Sequence, residues 1–214
     1  MKISILISKN SWANQYRDEI KKNLRNFSKK LIFIYDHKKI KKNTEVNIIF
    51  SYFKKIEKRY LKLTKYNLIP HESNLPRGRG MSPITWQILK NKNYVTFSLI
   101  EANENVDSGN IYFQKKIKIS EILIFDEIKK LQLKTNLKLI IKFLNTYKKY
   151  GFVKSKKQTG KATYYKLRKP QDHYINLNKS IKSQFNLLRT SDNKNYPAFF
   201  NYKSKKFFLK ISKK

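Results

Sequence analysis

Residues 2–35 read KISILISKNSWANQYRDEIKKNLRNFSKKLIFIY, and this stretch contains two apolar runs separated by an amphipathic one. Lys2–Ser8 and Leu31–Tyr35 are short and rich in β-branched residues, which predicts two buried strands. Between them, Ser11–Phe27 begins with a good capping residue and carries apolar residues every three or four positions, which predicts a helix. A strand, a helix and a strand in this order form a βαβ unit, so we expect parallel strands joined by a right-handed crossover.

Similar signals continue through the rest of the chain. They predict further strands at Val46–Phe50, Asn67–His71, Tyr94–Ile100 and Ile111–Ile119, a helix at about Ser82–Lys90, and one long or two short helices within Glu121–Tyr150. We therefore expect an α/β fold with a Rossmann-like open, mostly parallel sheet and flanking helices. Residues 1–150 are predicted to form this main domain, and residues 151–214 a small C-terminal subdomain packed on it.

The composition restricts the possible chemistry. The 214 residues include no cysteine, which excludes disulfides, thiolate metal sites and cysteine nucleophiles. The turn at Lys9–Trp12 has no glycine and the chain has no Gly-Lys-Ser/Thr loop, so dinucleotide cofactors and the usual ATPase chemistry are disfavoured. No apolar run approaches the roughly 18 residues of a membrane span. The N-terminus indicates a strand rather than a signal peptide, so we expect a cytoplasmic protein without membrane association.

The formal net charge is +35, which taken alone would indicate a polyanionic partner such as nucleic acid. Only seven of the 49 basic residues are arginine, the side chain that phosphate-binding proteins favour for its bidentate geometry. The lysines are scattered from Lys2 to Lys214 in ones and twos, which is more typical of biased codon usage than of a binding stripe. The charge still predicts that anionic substrates are attracted, with an affinity that falls as salt rises.

One of the three histidines lies in a dense motif. His71 ends a predicted central strand and opens the sequence HESNLPRGRGMSP, residues 71–83. Ligands of open parallel sheets bind at the carboxyl ends of the strands, so this position favours a functional role. Two prolines and two glycines fix a turn-rich path that can bring backbone N–H groups against a ligand. The alternative is a histidine that only holds the loop in place.

A second polar cluster, Asn105–Asn110, follows the next predicted strand. Its Asp107-Ser108-Gly109 triplet is an ordinary turn signature, so a purely structural role is the alternative here. In a parallel sheet this turn would lie at the same edge as His71. The Asp107 carboxylate would then face the imidazole and fix its orientation.

These motifs, in their order and spacing, resemble the folate-dependent formyltransferase family, which includes methionyl-tRNA formyltransferases and N-formyltransferases of nucleotide-linked amino sugars. The resemblance is strongest over residues 66–119 and is carried by His71–Pro76, Gly80, Ser82–Pro83, Trp86–Leu89, Val95–Thr96 and Val106–Ile111. It continues at Gln158, Gly160, Ala162–Tyr165, Arg168, Pro170, Asp172, Ser180–Ile181, Phe185–Arg189 and Tyr196–Phe200. Residues 1–150 are thereby expected to be a formyltransferase-like catalytic domain.

The resemblance implies a reaction and two central residues. A formyl group would pass from 10-formyltetrahydrofolate to a primary amine, with no metal and no covalent enzyme intermediate. His71 is expected to donate a hydrogen bond to the formyl oxygen and to transfer a proton. Asp107 is expected to orient His71 and to help accept the proton of the amine.

One catalytic position departs from the family pattern. The family has an asparagine two residues before the histidine, where this chain has Ile69. Asn67 shares a strand face with His71 but lies about 13 Å behind it, too far to reach the same reacting atom. We therefore expect Asn74, three residues after His71, to fold back into the site. The alternative is that Asn74 only caps the loop.

The resemblance also implies which residues contact the formyl donor. The Ser-x-Leu-Pro loop helps to form the folate pocket in this family, so Ser73, Leu75 and Pro76 are expected to lie next to the donor, together with Gly80. Leucine and proline would offer an apolar wall to the pterin. No metal site is expected.

Three hypotheses remain for the function. We favour a formyltransferase acting on a small acceptor, a nucleotide-linked amino sugar, because about 64 residues follow Tyr150 and a complete tRNA-binding domain of the family does not fit. The first alternative is a methionyl-tRNA formyltransferase, which the net charge supports and the low arginine fraction weakens. The second is a catalytically inactive basic binding protein of the same fold, which Ile69 makes conceivable. The sequence is also compatible with a homodimer.

Overall fold

The computed structural model describes residues 1–214. The strands are β1 (Ile3–Leu6), β2 (Ile32–Ile34), β3 (Thr44–Ile49), β4 (Thr64–His71), β5 (Arg79–Gly80), β6 (Tyr94–Glu101), β7 (Ile111–Lys118), β8 (Tyr164–Tyr165), β9 (Ala198–Tyr202) and β10 (Lys205–Leu209). The α-helices are α1 (Arg17–Leu24), α2 (Lys58–Leu61), α3 (Pro83–Leu89), α4 (Phe125–Tyr150) and α5 (Ile181–Thr190), and short 3₁₀ helices cover Trp12–Tyr16, His37–Lys39 and Pro170–His173. Six strands form one sheet in the order β2-β1-β3-β4-β6-β7, which confirms the predicted α/β fold.

The first half of the sheet is parallel, as residues 2–35 predict. β1 pairs with both β2 and β3, and β3 pairs with β4, all in parallel. Every residue of β1 is buried, as expected for a strand that is covered on both faces. The helix between β1 and β2 begins as a 3₁₀ turn, in which Ser11 accepts a hydrogen bond from the backbone nitrogen of Ala13, and continues as α1.

The second half of the sheet is antiparallel. β6 runs antiparallel to β4, so that His71 lies opposite Ser98 and Leu68 lies opposite Glu101. β7 in turn runs antiparallel to β6, and residues 102–110 connect the two strands. Because three pairings are parallel and these two are antiparallel, the sheet is mostly parallel, with the change of direction next to His71.

A single long helix, α4, covers one face of the sheet with 26 residues. Its buried side chains, among them Leu137, Ile140 and Phe143, join a cluster of 24 buried apolar residues that includes side chains from five of the six sheet strands or their flanks. Gly151 ends the helix in the left-handed conformation, with φ 75°. No helix of the chain, α4 included, combines the length and the apolar character that a bilayer span requires.

The residues after α4 pack back onto the sheet and its loops. β8 pairs in parallel with β5, which lies in the loop after His71. α5 contacts α3 and α4, and the buried guanidinium group of Arg189 donates hydrogen bonds to the carbonyl oxygens of Ser120 and Leu123. β9 and β10 form a C-terminal antiparallel hairpin. The C-terminal region therefore contributes directly to the surroundings of His71.

Glu101, the last residue of β6, is a largely buried carboxyl group between β4 and β7. Its Oε1 accepts a hydrogen bond of 2.8 Å from the backbone nitrogen of Asn67, and its Oε2 accepts one of 2.7 Å from the hydroxyl of Tyr112. Burial raises the pKa of Glu101 to about 7, and the two hydrogen bonds oppose this shift. Burial and the neighbouring Glu101 charge also raise the pKa of the Tyr112 hydroxyl.

We predict that Glu101 makes folding less favourable as the pH rises. The unfolded chain loses the Glu101 proton near the ordinary pKa of 4.5, whereas the folded chain keeps it up to about 7. The stability that the retained proton provides is therefore lost across this pH range. Between pH 4 and pH 8, the free energy of unfolding of the wild type minus that of Glu101→Gln should fall by about 3 kcal/mol. Urea unfolding measures this difference, and a constant value would contradict the prediction.

Candidate active site

His71, the last residue of β4, is 5% exposed and has a partner at each ring nitrogen. Its Nδ1 lies 3.5 Å from Oδ2 of Asp107, and its Nε2 lies 2.8 Å from the carbonyl oxygen of Gly78. The side chain of Asp107 is 12% exposed. The structure therefore brings together the histidine and the aspartate that the sequence suggested would act as a pair.

The two side chains do not meet by the route that the sequence predicted. That prediction placed the carboxyl ends of neighbouring parallel strands at one edge, whereas β6 runs antiparallel to β4. Asp107 reaches His71 because the segment 102–110 turns back sharply. A Cβ atom on Gly109 would collide with the carbonyl oxygen of Glu101, and Asp107 itself has a left-handed backbone with φ 49°.

Several hydrogen bonds hold Asp107 in place. The backbone N–H of Gly80 donates to Oδ2 of Asp107 at 2.8 Å. The side-chain amide of Gln158 donates to the carbonyl oxygens of Asp107 and Gly109, both at 2.8 Å. Its Oε1 accepts from the guanidinium group of Arg79, at 2.7 Å from Nη2 and 3.2 Å from Nε. Gln158 therefore ties the loop of Asp107 to the loop of Arg79 and Gly80.

The contacts of His71 define where its protons lie. A carbonyl oxygen can only accept, so the contact with Gly78 requires a proton on Nε2. With a proton on Nε2, the ring presents an N–H donor to an oxygen acceptor, and its Nδ1 lies beside the Asp107 carboxylate.

Asn74, predicted to fold back into the site, is exposed in the loop after His71. Its Oδ1 accepts a hydrogen bond from Nε2 of Gln114 at 3.4 Å, and Gln114 also donates to the hydroxyl of Ser98. The structure therefore does not bring Asn74 to the histidine and the aspartate. Its catalytic role stays a prediction.

The other candidate, Asn67, and Ile69, which stands at the family's asparagine position, belong to the fold. Oδ1 of Asn67 accepts a hydrogen bond from Asn47 at 3.3 Å, and its Nδ2 donates to the carbonyl oxygen of Leu61 at 2.9 Å. Both asparagines are buried, so these bonds satisfy polar groups that would otherwise destabilise the core. Ile69 packs against a small apolar cluster instead.

The four residues predicted to contact the formyl donor differ in their surroundings. Ser73, Leu75 and Pro76 are buried, and Gly80 is half-buried. Leu75 packs into an apolar cluster with Ile100 of β6 and Ile111 of β7, so it presents no apolar wall to solvent in this conformation. The hydroxyl oxygen of Ser73 is buried without a hydrogen-bond partner. Since a buried polar atom requires a partner, Ser73 is the member of this set that best fits a ligand contact.

Sequence reasoning assigned no role to Gly78, Gln158 or Thr163, which complete the site. The N–H of Gly78 donates to the hydroxyl of Thr163 at 2.9 Å, and the N–H of Arg79 donates to the carbonyl oxygen of Thr163 at 2.9 Å. Gln158 and Thr163 lie in the part of the tail that carries the family resemblance, and that resemblance was the available signal. The chain holds no group of three or more His, Asp or Glu side chains that could bind a metal ion.

Comparison with known families agrees with this site and fold. Residues 4–144 match the family model described as formyl transferase, a range that runs from β1 into α4 and includes both His71 and Asp107. Because the match covers well over half of the 214 residues, the chain belongs to the formyl transferase family.

Individual relatives give the same result. The methionyl-tRNA formyltransferase of Thermodesulfovibrio yellowstonii is 32% identical over 154 residues, which cover 71% of this chain and 50% of that protein. The chain spans about half the length of the curated relatives it matches.

Solved structures share the fold over the whole chain. The methionyl-tRNA formyltransferase from Clostridium thermocellum superposes with a TM-score of 0.80 and 22% identity, covering 100% of this chain and 94% of that one. A sugar N-formyltransferase from a Shewanella species superposes with a TM-score of 0.71 and 17% identity, covering 100% and 98%. At these identities the comparison establishes the common fold.

We predict that Gln158→Glu releases the loop that carries Asp107. The variant keeps an oxygen for Arg79 but places a second oxygen against two carbonyl groups, which removes two hydrogen bonds and adds repulsion. Amide hydrogen exchange of residues 105–110 should become at least about tenfold faster.

Gln184→Glu is a matched control. The side-chain amide of Gln184 also binds backbone groups through both its oxygen and its nitrogen, but it lies in the C-terminal region, at Asn176. Its faster exchange should be confined to residues near Asn176 and Gln184. Unchanged exchange at residues 105–110 in Gln158→Glu would show that Gln158 does not hold this loop.

Proposed function

We propose that the chain transfers a formyl group from 10-formyltetrahydrofolate to a primary amine, with His71 and Asp107 as catalytic residues. The observation that carries this proposal is the geometry of His71, which is fixed on one side by Asp107 and directs its Nε2–H at a carbonyl oxygen on the other. A formyl group offers the same kind of acceptor. Membership of the formyl transferase family supports this class of reaction.

His71 would act on the oxygen of the formyl group. Attack of the amine on the formyl carbon places negative charge on that oxygen, and a positioned N–H donor stabilises the charge where it develops. In the free protein the carbonyl oxygen of Gly78 occupies this donor, so the formyl oxygen would replace it. Shielding from water strengthens such a hydrogen bond. As the bond between carbon and the folate nitrogen breaks, His71 would supply the proton that this nitrogen gains.

Asp107 would complete the proton transfer on the side of the amine. The amine attacks as a neutral nucleophile and must lose a proton once its new bond to carbon forms. Both contacts of the Asp107 carboxylate use Oδ2, which leaves Oδ1 to accept that proton. Asp107 would thus gain the proton that the amine loses, and His71 would give the proton that the folate nitrogen gains, so the two residues together neither gain nor lose a proton.

The loop after His71 would hold the formyl donor. The partnerless hydroxyl of Ser73 is the best-supported contact, and Gly80 is already fixed next to Asp107 through its backbone N–H. Leu75 and Pro76 would act by shaping the loop. Asn74 would reach the reacting groups after giving up its hydrogen bond to Gln114.

The acceptor is proposed to be methionyl-tRNA, which the comparisons favour over the amino sugar preferred from the sequence. The curated relatives at 27–32% identity are methionyl-tRNA formyltransferases. A nucleotide-linked amino sugar is the second candidate. The specific observation in its favour is the fold shared with a sugar N-formyltransferase, whose chain is covered over 98% of its length.

Incubation with 10-formyltetrahydrofolate and each acceptor, followed by mass spectrometry of the acceptor, tests this proposal. Formylated methionyl-tRNA is the expected product, and its rate of formation at limiting tRNA should fall steeply with salt. Formylation of the amino sugar alone would assign the second candidate. The absence of a formylated product with any amine would overturn the proposal and favour an inactive binding protein.

Removing either catalytic side chain should abolish most of the turnover. We expect His71→Asn and Asp107→Asn each to lower kcat at least about 100-fold, as for the loss of an acid–base group. His37→Asn and Asp172→Asn are matched controls, because they change a histidine that is 7% exposed and an aspartate that is 21% exposed outside the site. Both controls should retain kcat within about threefold of the wild type, as measured by initial rates. A near-normal kcat for His71→Asn would contradict its assigned role.

A further inference from the structure

A lysine-rich segment crosses the candidate active site between α4 and β8. Residues 154–161, here called the lysine segment, read KSKKQTGK. Lys156 is fixed against the first residue of β7 by two backbone hydrogen bonds with Ile111, of 2.8 and 2.9 Å. Two residues further on, Gln158 binds the carbonyl oxygens of Asp107 and Gly109. The lysines of this segment are therefore carried by backbone that is anchored next to the catalytic pair.

These lysines have no counter-charge within the chain. Lys154, Lys156, Lys157 and Lys161 are exposed, and none of them forms an ion pair. The sequence has no acidic residue between Glu127 and Asp172. The segment contacts one acidic residue, Asp107, through Gln158. The carboxylate of Asp107 is already engaged by His71 and by the backbone of Gly80. Four like charges without an ion-pair partner thus lie on a segment anchored beside a site that is expected to take an anionic acceptor.

We propose that the lysine segment binds phosphate groups of the acceptor and so delivers the acceptor's amine to His71 and Asp107. This inference rests on the proposed function. Both candidate acceptors carry phosphates, as the diphosphate of a nucleotide-linked sugar or as the backbone of an RNA. Lysine binds such groups as a point charge and does not need the bidentate geometry of arginine, so the low arginine count does not oppose this role.

A second group of four exposed lysines serves as a control for the general abundance of lysine in this chain. Lys130, Lys134, Lys138 and Lys142, here called the helix stripe, repeat every four residues along α4. They are exposed as well and likewise form no ion pair. The helix stripe lies on α4, whose buried side joins the large core cluster, whereas the lysine segment is hydrogen-bonded directly to Ile111 and to the loop of Asp107. The helix stripe therefore matches the lysine segment in charge but not in location.

Two quadruple variants test the proposal by removing the same charge from each place. In one, the four lysines of the lysine segment become Gln; in the other, the four lysines of the helix stripe become Gln. We expect the first variant to raise KM for the acceptor at least about tenfold with kcat within about twofold, and the second to leave both constants within about twofold. The slope of log affinity against log salt should become shallower in the first variant alone, by about 0.7–0.9 for each lost phosphate contact.

Reactions with different acceptors identify which phosphates the lysine segment binds. Methionyl-tRNA and the nucleotide-linked amino sugar are compared with the phosphate-free amines methionine methyl ester and the free amino sugar. The lysine-segment variant should lose efficiency with a phosphorylated acceptor and keep wild-type efficiency with its phosphate-free counterpart. Equal changes in KM in the two quadruple variants, or an unchanged KM in the lysine-segment variant, would overturn the proposal.

A binding measurement keeps this test independent of turnover. Without any formyl donor, the affinity for fluorescently labelled tRNA and for inorganic pyrophosphate is measured in the wild type and both variants. Weaker binding in the lysine-segment variant alone would support the inference even if no acceptor were formylated, a result that would overturn the proposed function only. Binding that is equal in the two variants, or undetectable in the wild type, would overturn the inference itself.

Discussion

A buried imidazole needs a partner for each of its ring nitrogens, and the arrangement of this site follows from that requirement. His71 has little contact with water, and an unsatisfied buried polar atom costs about 1–3 kcal/mol. One partner, the Gly78 carbonyl, comes from the loop after β4, and the other, Asp107, comes from the connection between β6 and β7. Neither loop is fixed by the sheet alone. The hydrogen bond from Gly80 to Asp107 and the contacts of Gln158 join the two loops, so a residue of the C-terminal region helps to hold the catalytic pair.

The two halves of the sheet have different roles, and this explains why the site depends on loops. Its parallel half buries β1 and β3 and serves as the scaffold. At β4 the direction changes, so the connection after β6 emerges beside the middle of β4 rather than beside its end. Asp107 then has to be carried to His71 by a tight turn, and the glycine at position 109 permits that turn because no larger residue fits against Glu101. Glu101 is buried at the same junction, which raises its pKa to about 7.

The sequence predicted the elements well and their relations less well. Apolar runs and helical spacing located the strands of the main sheet, the helix after β1 and the long helix α4, because those patterns report local periodicity. Periodicity carries no information about strand direction, so the antiparallel placement of β6 was missed. Strands of two residues, such as β8, have no periodicity at all. The pairing of His71 with Asp107 followed from motif order, whereas the part played by Gln158 depends on a contact between distant segments that no local pattern encodes. For Asn74, sequence distance from His71 could not indicate the direction of an exposed side chain, which points to Gln114.

The proposed reaction therefore depends most on the Nε2 proton and the orientation of His71. Nitrogen-15 NMR of the His71 imidazole reports the Nε2 proton and its hydrogen bonding directly. The signal is assigned by its absence in His71→Asn, and it is recorded with and without 10-formyltetrahydrofolate. We expect a protonated Nε2 in the free protein, and a shift of its signal when the formyl oxygen replaces the Gly78 carbonyl. An Nε2 without a proton, or a signal that saturating donor leaves unmoved, would contradict the account.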